Sequence, residues 1–262
     1  MIVAVSRTLL LSWALVMAPW AMATGCPAHS QGHLAVIIDD LGYNLERASE
    51  MAAIPAPLTL AIIPGTPHAE TVAALGNRHG KEIMVHMPMS SNNREVSDPV
   101  VLEQHLSREH IGERVRQAVT SVPGAAGMNN HMGSALTADQ EAMDALMAEL
   151  AALDMYFIDS RTTRDTVAVE AASAWGVAIA SRSVFLDNQP TAAAIALQFN
   201  EAVDLALSEG YAIAIGHPHP ATIAVLNDAL PQLPPSVTVV SASQIAQCQT
   251  SQSRTSTPRP AR

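Results

Sequence analysis

Short apolar runs rich in β-branched residues alternate with longer helical patterns along this sequence from residue 33 onward. Such alternation is typical of repeated β-strand and α-helix units that build a parallel sheet. Because helical patterns separate most of the runs, we predict an α/β fold with a single distorted (β/α) barrel of about seven strands. Periodicity does not report closure, so an open doubly wound sheet is the alternative. The predicted strands are LAVII (34–38), LTLAII (58–63), EIMVH (82–86), AAGMN (125–129), MYFID (155–159), GVAIA (176–180), VFL (184–186), YAIAI (211–215) and VTVV (237–240).

Residues 1–23 have the pattern of a secretory signal peptide. Arg7 precedes the apolar run LLLSWALVMAPW, and Ala21-Met22-Ala23 fits a small-residue cleavage site. The run is short for a bilayer span, and no later stretch approaches about 18 uninterrupted apolar residues. We therefore expect an exported, periplasmic chain without a membrane span after cleavage, and a retained anchor is the alternative. The barrel is expected at residues 33–247, and residues 249–262 have the composition of a disordered tail.

The charge and the cysteines restrict the partners and the redox setting. A net charge of −10 argues against a surface for duplex nucleic acid. The two cysteines, Cys26 and Cys248, lie near the two ends of the predicted domain. An oxidising compartment would allow one disulfide between them, and the alternatives are two unrelated thiols or lipidation of Cys26.

Polar residues able to bind a metal or move a proton follow most of the predicted strands. The carboxyl ends of parallel strands open on one face of an α/β fold, where active sites form. Single members have ordinary explanations, such as a helix N-cap for Asp187 or an ion pair with Arg161 for Asp159. Coincidence at the ends of six strands is improbable, so we interpret the set as one site. Its members are Asp39, Asp40, His86, Asn129, Asn130, His131, Asp159, Asp187, His217 and His219.

A divalent metal would satisfy one carboxylate and two imidazoles gathered in a semi-buried pocket, where unpaired charge is costly. Such a donor set leaves coordination positions for water, as a catalytic site requires. Zinc is the first choice, and other first-row divalent ions suit the same ligands. Asp39 and Asp40 cannot both point inward from a regular strand. We expect Gly42 to let the chain turn the second carboxylate back towards the pocket.

Six motifs, taken in order and at these intervals, resemble the divergent branch of the polysaccharide deacetylase superfamily from about residue 34 to residue 247. The resemblance implies a distorted (β/α) barrel of about seven strands and a divalent metal. It also implies hydrolysis of an N- or O-acetyl group on a carbohydrate. The motifs are IIDDLG, VHMPM, NNHMGS, FIDSRT, VFLDN and GHPHP.

The resemblance also implies residue roles. In the main branch, the first carboxylate of an Asp-Asp pair is the general base and the second binds metal, which makes Asp39 the base and Asp40 a ligand. A later histidine at a strand end is the general acid, and His217 fits that position best. We further expect Arg161 to orient Asp39 or Asp159. Asp159 is itself a candidate for a catalytic role or for an additional metal ligand.

Two positions depart from the main-branch pattern. Its metal histidines come from a single His-x-x-x-His motif, but the fourth residue after His86 is Ser90. We hypothesise that His131 supplies the missing ligand from the next strand, so that Asp40, His86 and His131 form the metal set. Leu41 also replaces the glycine expected after the Asp pair.

The predicted function is that of an exported, metal-dependent carbohydrate deacetylase acting on an acetylated envelope glycan. Only 3% of the residues are aromatic, which favours a small or envelope-bound glycan over an extended bare polymer. A catalytically inactive scaffold of the same fold is the main alternative, and a glycosidase using Asp39 and Asp159 is another. The irregular insert at residues 87–105 follows a strand, so we expect it to overhang the active face.

Overall fold

The computed structural model describes residues 32–92 and 95–256, with side chains described as far as residue 251. The predicted signal peptide and Cys26 lie outside these residues, so export and the disulfide stay predictions. Every predicted strand run overlaps a strand of the structure. The strands are β1 (Gly32–Leu41), β2 (Thr59–Ile62), β3 (Glu82–Met89), β4 (Ala125–Met132), β5 (Tyr156–Asp159), β6 (Ile179–Ser181), β7 (Val184–Phe185), β8 (Tyr211–Gly216) and β9 (Val237–Val240).

Helices separate most of these strands. Several helices begin at side-chain caps, in which Asn44, Ser107, Asp139 and Thr191 accept hydrogen bonds from backbone N–H groups of the first turn. Among the described residues, no helix is long and apolar enough to cross a membrane. The helices are α1 (Leu45–Ala53), α2 (Ala69–Arg78), α3 (Arg108–Ser121), α4 (Gln140–Ala152), α5 (Ala168–Trp175), α6 (Ala192–Glu209), α7 (Pro220–Ala229) and α8 (Ala242–Ser256).

All strand pairs are parallel, in the order β6-β5-β4-β3-β2-β1-β8-β7, and β9 pairs with the first half of β1. The two outer strands of this order, β6 and β7, are joined by two residues only. Arg182 N–H donates to the Asp159 carbonyl on one side (2.9 Å), and Ser183 N–H donates to the Ile213 carbonyl on the other (2.8 Å). This short link brings the two edges together, so the sheet curls into a distorted barrel. The predicted fold class is confirmed.

The strands are apolar on both faces because one face lines the barrel interior and the other packs against helices. Alternate residues such as Ala35, Ile37, Ile213 and Ile215 fill the interior. Helix α8 closes the amino-terminal end of the barrel with Ala242, Ile245 and Ala246. The opposite end, where the strands finish, therefore carries the polar residues.

A buried hydrogen-bond network fixes the start of α8 inside the barrel. Glu82 Oε1 accepts from Thr59 Oγ1 (2.9 Å), Tyr156 Oη (2.8 Å) and Ser243 N–H (3.2 Å). Thr59 Oγ1 in turn accepts from Ala242 N–H (3.1 Å). A carboxylate at a helix N-terminus satisfies exposed N–H groups and complements the helix dipole.

Helix α8 continues through residues 249–256, which composition assigned to a disordered tail. Thr250 explains part of the difference, because its hydroxyl accepts a hydrogen bond from Ile179 N–H (3.1 Å) at the sheet edge. Composition does not report such a contact, since it depends on where the helix lies in the fold. Residues 257–262 lie outside the described part of the chain.

Candidate metal centre

The end of β1 directs two adjacent aspartates into the same pocket. Asp39 follows Ala35 and Ile37 on the inward face and is buried. Asp40 would face the other way on a regular strand, but its backbone is left-handed (φ 58°) and the register with β2 shifts here. Gly42, with φ 119°, completes the turn, and a Cβ at this position would lie 2.0 Å from Thr66 Oγ1. The turn expected at Gly42 thus begins at Asp40 itself.

Asp40, His86 and His131 meet at this turn. Asp40 Oδ1 lies 3.1 Å from His86 Nε2 and 3.1 Å from His131 Nδ1. The two ring nitrogens are 3.0 Å apart. The structure therefore brings together the three residues predicted as metal ligands, although they come from three separate strands, and His86 lies within β3 rather than at its end.

The three facing atoms fit a divalent first-row ion. At bond lengths of about 2.0–2.1 Å, adjacent ligand atoms lie roughly 3.0 Å apart in octahedral and roughly 3.3 Å apart in tetrahedral coordination. The observed triangle is close to both values. Asp40 Oδ1 is also buried without a well-formed hydrogen bond, so this oxygen is available to a cation. Two imidazoles and one carboxylate are borderline donors that suit zinc and its neighbours.

Asn129 sets the orientation of His86. The Nδ1 atom of His86 lies 2.7 Å from Asn129 Oδ1, and Asn129 Nδ2 donates to Asp39 Oδ1 (2.8 Å). Because the amide oxygen can only accept, His86 carries its proton on Nδ1 and presents the Nε2 lone pair to the other two ligands. Asn129 thus links the predicted base to a predicted ligand. The sequence showed Asn129 only as a polar residue at a strand end.

His217 and Asp187 form a second unit beside the three ligands. His217 Nδ1 lies 2.8 Å from Asp187 Oδ1, while Asp187 Oδ2 accepts from His217 N–H (2.6 Å) and Thr222 Oγ1 (2.8 Å). The Nε2 atom of His217 faces Asp40 Oδ2 at 3.8 Å. Asp187 is therefore not a helix N-cap, since Thr191 caps α6. Its place after a strand, shared with the other site residues, was the available signal.

His219 lies next to this unit, with its ring centroid 5.8 Å from that of His217. Ligand-capable atoms of Asp187, His217 and His219 lie within 4.8 Å of one another, so the three could in principle hold a cation. Both Asp187 oxygens already accept hydrogen bonds, and the proton on His217 Nδ1 occupies one of the donor atoms. We interpret Asp187 and His217 as a hydrogen-bonded pair that holds a proton. His219 lies beside this pair at the edge of the site.

Residues 36–246 match the family model described as divergent polysaccharide deacetylase. The chain belongs to the divergent polysaccharide deacetylase family. It is 40% identical over 214 residues to the uncharacterized protein YibQ of Escherichia coli, covering 82% of this chain and 67% of that protein. It is 39% identical over 211 residues to an uncharacterized protein of Haemophilus influenzae, covering 80% of this chain and 75% of that protein.

Solved structures share the fold of this family member at low sequence identity. The uncharacterized protein ATU2773 from Agrobacterium tumefaciens gives a TM-score of 0.77 at 18% identity, covering 87% of this chain and 92% of that one. A BA3943 mutant, described as a CE4 family pseudoenzyme with restored enzymatic activity, gives 0.50 at 13% identity, covering 84% and 69%. These similarities support the barrel fold alone.

In this deacetylase-family chain, Asp159 stabilises a loop and does not join the ligands. Its carboxylate accepts from Arg161 N–H (2.8 Å) and Thr166 Oγ1 (3.0 Å). Neither group of metal-capable residues in the described chain contains it. Arg161 contacts Asp159 through its backbone, which is left-handed (φ 49°), while its side chain is exposed. The hydrogen bond to Asp159 is thus made by the main chain, and the orienting role of Arg161 stays a prediction.

Arg182 is the arginine whose charge reaches Asp39, and the sequence reading did not include it. Its Nε donates to the Ser160 carbonyl (2.7 Å), and its guanidinium stacks on Phe185 at 3.8 Å. Although burial lowers the pKa of Arg182, the carboxylates of Asp159 and Asp39 counteract that shift. Arg182 follows β6 on the inward face, so extending the strand-end pattern to arginines would have found it.

The environment separates the two aspartates of the pair. Burial raises the pKa of Asp39, and the nearby His86 and His217 only partly offset this effect. Burial would also raise the pKa of Asp40, but the adjacent His131 and His86 imidazoles outweigh it and lower that pKa. A carboxylate that stays ionised suits a ligand, and one with a raised pKa suits a base.

Proposed function

We propose that this member of the divergent polysaccharide deacetylase family is an exported, metal-dependent deacetylase of an acetylated envelope glycan. The observation that carries the proposal is the triangle of Asp40, His86 and His131, flanked by Asp39 on one side and by the His217–Asp187 pair on the other. These three ligands would hold a divalent ion, zinc being the first choice, which when bound supplies Lewis acidity towards the acetyl carbonyl.

Asp39 is proposed as the general base. Its buried carboxylate accepts a hydrogen bond from the Asn129 amide and lies 3.6 Å from Nδ1 of His86. The raised pKa of Asp39 makes the carboxylate a better proton acceptor for an attacking water. The positive charge of Arg182 also reaches Asp39 and favours its ionised form, against the effect of burial.

His217 is proposed as the general acid that protonates the departing amine or alcohol. Burial lowers the pKa of His217, but the hydrogen bond to Asp187 and the nearby aspartates outweigh it and raise the pKa to about 9. The imidazole is therefore protonated at neutral pH. Asp187 occupies Nδ1, so the Nε2 proton points towards the same space as Asp40.

The exposure of the side chains indicates where a substrate enters. Asp39 and His86 are almost fully buried, whereas 17% of the His131 side chain, 28% of His217 and 38% of Asp40 are exposed. The base thus lies deep, and the ligands and the acid face the opening. Few aromatic residues are available to stack on sugars, which supports a small or envelope-bound glycan as substrate.

An inactive envelope scaffold is the second candidate. Two observations favour it: Ser90 breaks the His-x-x-x-His motif, and one protein of similar fold is described as a CE4 family pseudoenzyme. A glycosidase is less well supported, because both Asp159 oxygens accept hydrogen bonds within their own loop. The enzyme and the scaffold both predict metal binding, so acetate release separates them.

The test combines metal analysis with acetate release from chitooligosaccharides and peptidoglycan fragments. We expect about one divalent ion per chain and metal-dependent acetate release. Asp39→Asn should retain the metal and lose about 10²- to 10⁴-fold in rate, because general-base catalysis contributes that much. Metal binding without acetate release from any substrate would favour the scaffold. Wild-type turnover in Asp39→Asn would remove Asp39 as the base.

A further inference from the structure

The candidate ligand His131 lies beside a segment that the proposed function does not use. His131 presents Nδ1 to Asp40 and His86, so its Nε2 points away from the cluster. That nitrogen faces Asp98 Oδ2 at 3.7 Å. Asp98 belongs to residues 95–106, the part of the insert that precedes α3, which we call the Asp98 segment.

The Asp98 carboxylate is held in place from a second direction. Its Oδ1 accepts a hydrogen bond from Tyr43 Oη (2.8 Å), and Tyr43 lies three residues after Asp40. This bond leaves Oδ2 for His131. The segment itself is anchored to the barrel, since Leu102 is buried, its N–H donates to the Pro88 carbonyl (2.8 Å) and its carbonyl accepts from Ser90 N–H (2.9 Å). The Asp98 carboxylate is therefore fixed in position, unlike a freely moving side chain on the surface.

We propose that Asp98 is a positioning residue for the metal ligand His131, with Tyr43 fixing the carboxylate. The inference rests on the proposed metal site. A metal-bound imidazole needs an acceptor for its remaining N–H, and a carboxylate there fixes the tautomer and raises ligand basicity. His86 already has such an acceptor in Asn129 Oδ1. Asp98 is the corresponding acceptor for the N–H of His131, which lies outside the His-x-x-x-His motif.

The arrangement couples the metal to the Asp98 segment. At 3.7 Å the Asp98–His131 contact is longer than a hydrogen bond. A bound cation would make the His131 N–H a stronger donor, so we expect it to shorten this contact and to fix the segment more firmly. Tyr43, which is exposed beside the opening, is fixed with it. Metal binding and the order of the segment are thus one linked equilibrium.

The first measurement is the zinc affinity of the full-length chain, determined by competition with a chromophoric chelator. Asp98→Asn should bind zinc about 10- to 100-fold more weakly. Tyr43→Phe should weaken binding by a smaller factor, because it loosens the carboxylate without removing it. Glu103→Gln is the matched control, since Glu103 lies in the same segment and pairs with an exposed histidine. Its affinity should equal that of the wild type.

The second measurement is backbone hydrogen exchange with and without zinc. Zinc should slow exchange in residues 95–106 of the wild type and of Glu103→Gln, but not in Asp98→Asn saturated with zinc. Equal zinc affinity in Asp98→Asn and the wild type would overturn this inference alone. A wild type that binds no divalent ion would overturn the proposed function as well. If Asp98→Asn fails to fold, Tyr43→Phe with unchanged affinity overturns the inference.

Discussion

Two adjacent aspartates lie in different chemical environments because the backbone turns between them. Asp39 continues the inward face of β1 into the apolar interior, whereas Asp40 adopts φ 58° and reaches the histidines at the opening. The same residue type therefore has a raised pKa at one position and a lowered pKa at the next. We therefore expect substitutions of single residues to separate the effects of proton transfer, metal binding and ligand positioning.

The Asp187–His217 pair makes a pH-dependent contribution to stability in the metal-free protein. The folded-state pKa of His217, about 9, lies above its ordinary value of 6.5. The contribution is therefore complete below pH 6.5 and is lost as the pH rises through about 9. We expect about 1–2 kcal/mol, after discounting for the partial exposure of His217.

Urea unfolding in the presence of a chelator tests this prediction. The free energy of unfolding of Asp187→Asn should lie below that of the wild type at pH 6, and the gap should shrink by pH 9.5. The control is His110→Asn, at an exposed histidine of α3 whose ring contacts the Ser107 hydroxyl. A gap that is the same at both pH values would contradict a charged pair.

At the scale of elements, strands could be predicted from the sequence and their connections could not. Strands such as β1 and β8 are buried on both faces, and their continuous apolar runs identify them directly. The role of Asp187 depends on a histidine 30 residues later, and Thr250 of α8 contacts Ile179 of β6, which lies 71 residues earlier in the chain. Local patterns do not contain such long-range contacts.

Helix α8 should depend on the buried Glu82 network. Tyr156→Phe removes one of the three donors to Glu82 Oε1, so we expect a loss of about 1–2 kcal/mol in the free energy of unfolding. Tyr211→Phe is the matched control, because the Tyr211 hydroxyl makes no hydrogen bond within the described chain. Urea unfolding of both variants measures the difference. Equal stability of Tyr156→Phe and the wild type would show that the network does not anchor α8.

At the scale of the whole molecule, barrel closure gathers the site. The link at Arg182 and Ser183 joins the two sheet edges, which places the ends of β1, β3, β4 and β8 around one opening. Strand-end reasoning grouped the three candidate ligands on one face, while the family resemblance implied the ligand role of Asp40, and His131 was added as a hypothesis. Strand-end reasoning missed Asp98 because that residue lies in an irregular insert, where no periodicity predicts the direction of a side chain.

The central claim is that Asp40, His86 and His131 hold one divalent ion. Zinc K-edge X-ray absorption, combined with metal content, tests it most directly on the wild type, on His131→Ala and on the exposed-histidine control His105→Ala. We predict about one zinc per chain bound by two imidazoles and oxygen ligands in the wild type and the control, and loss of this zinc in His131→Ala. Full zinc occupancy with an unchanged spectrum in His131→Ala, or no zinc in the wild type, would contradict the account.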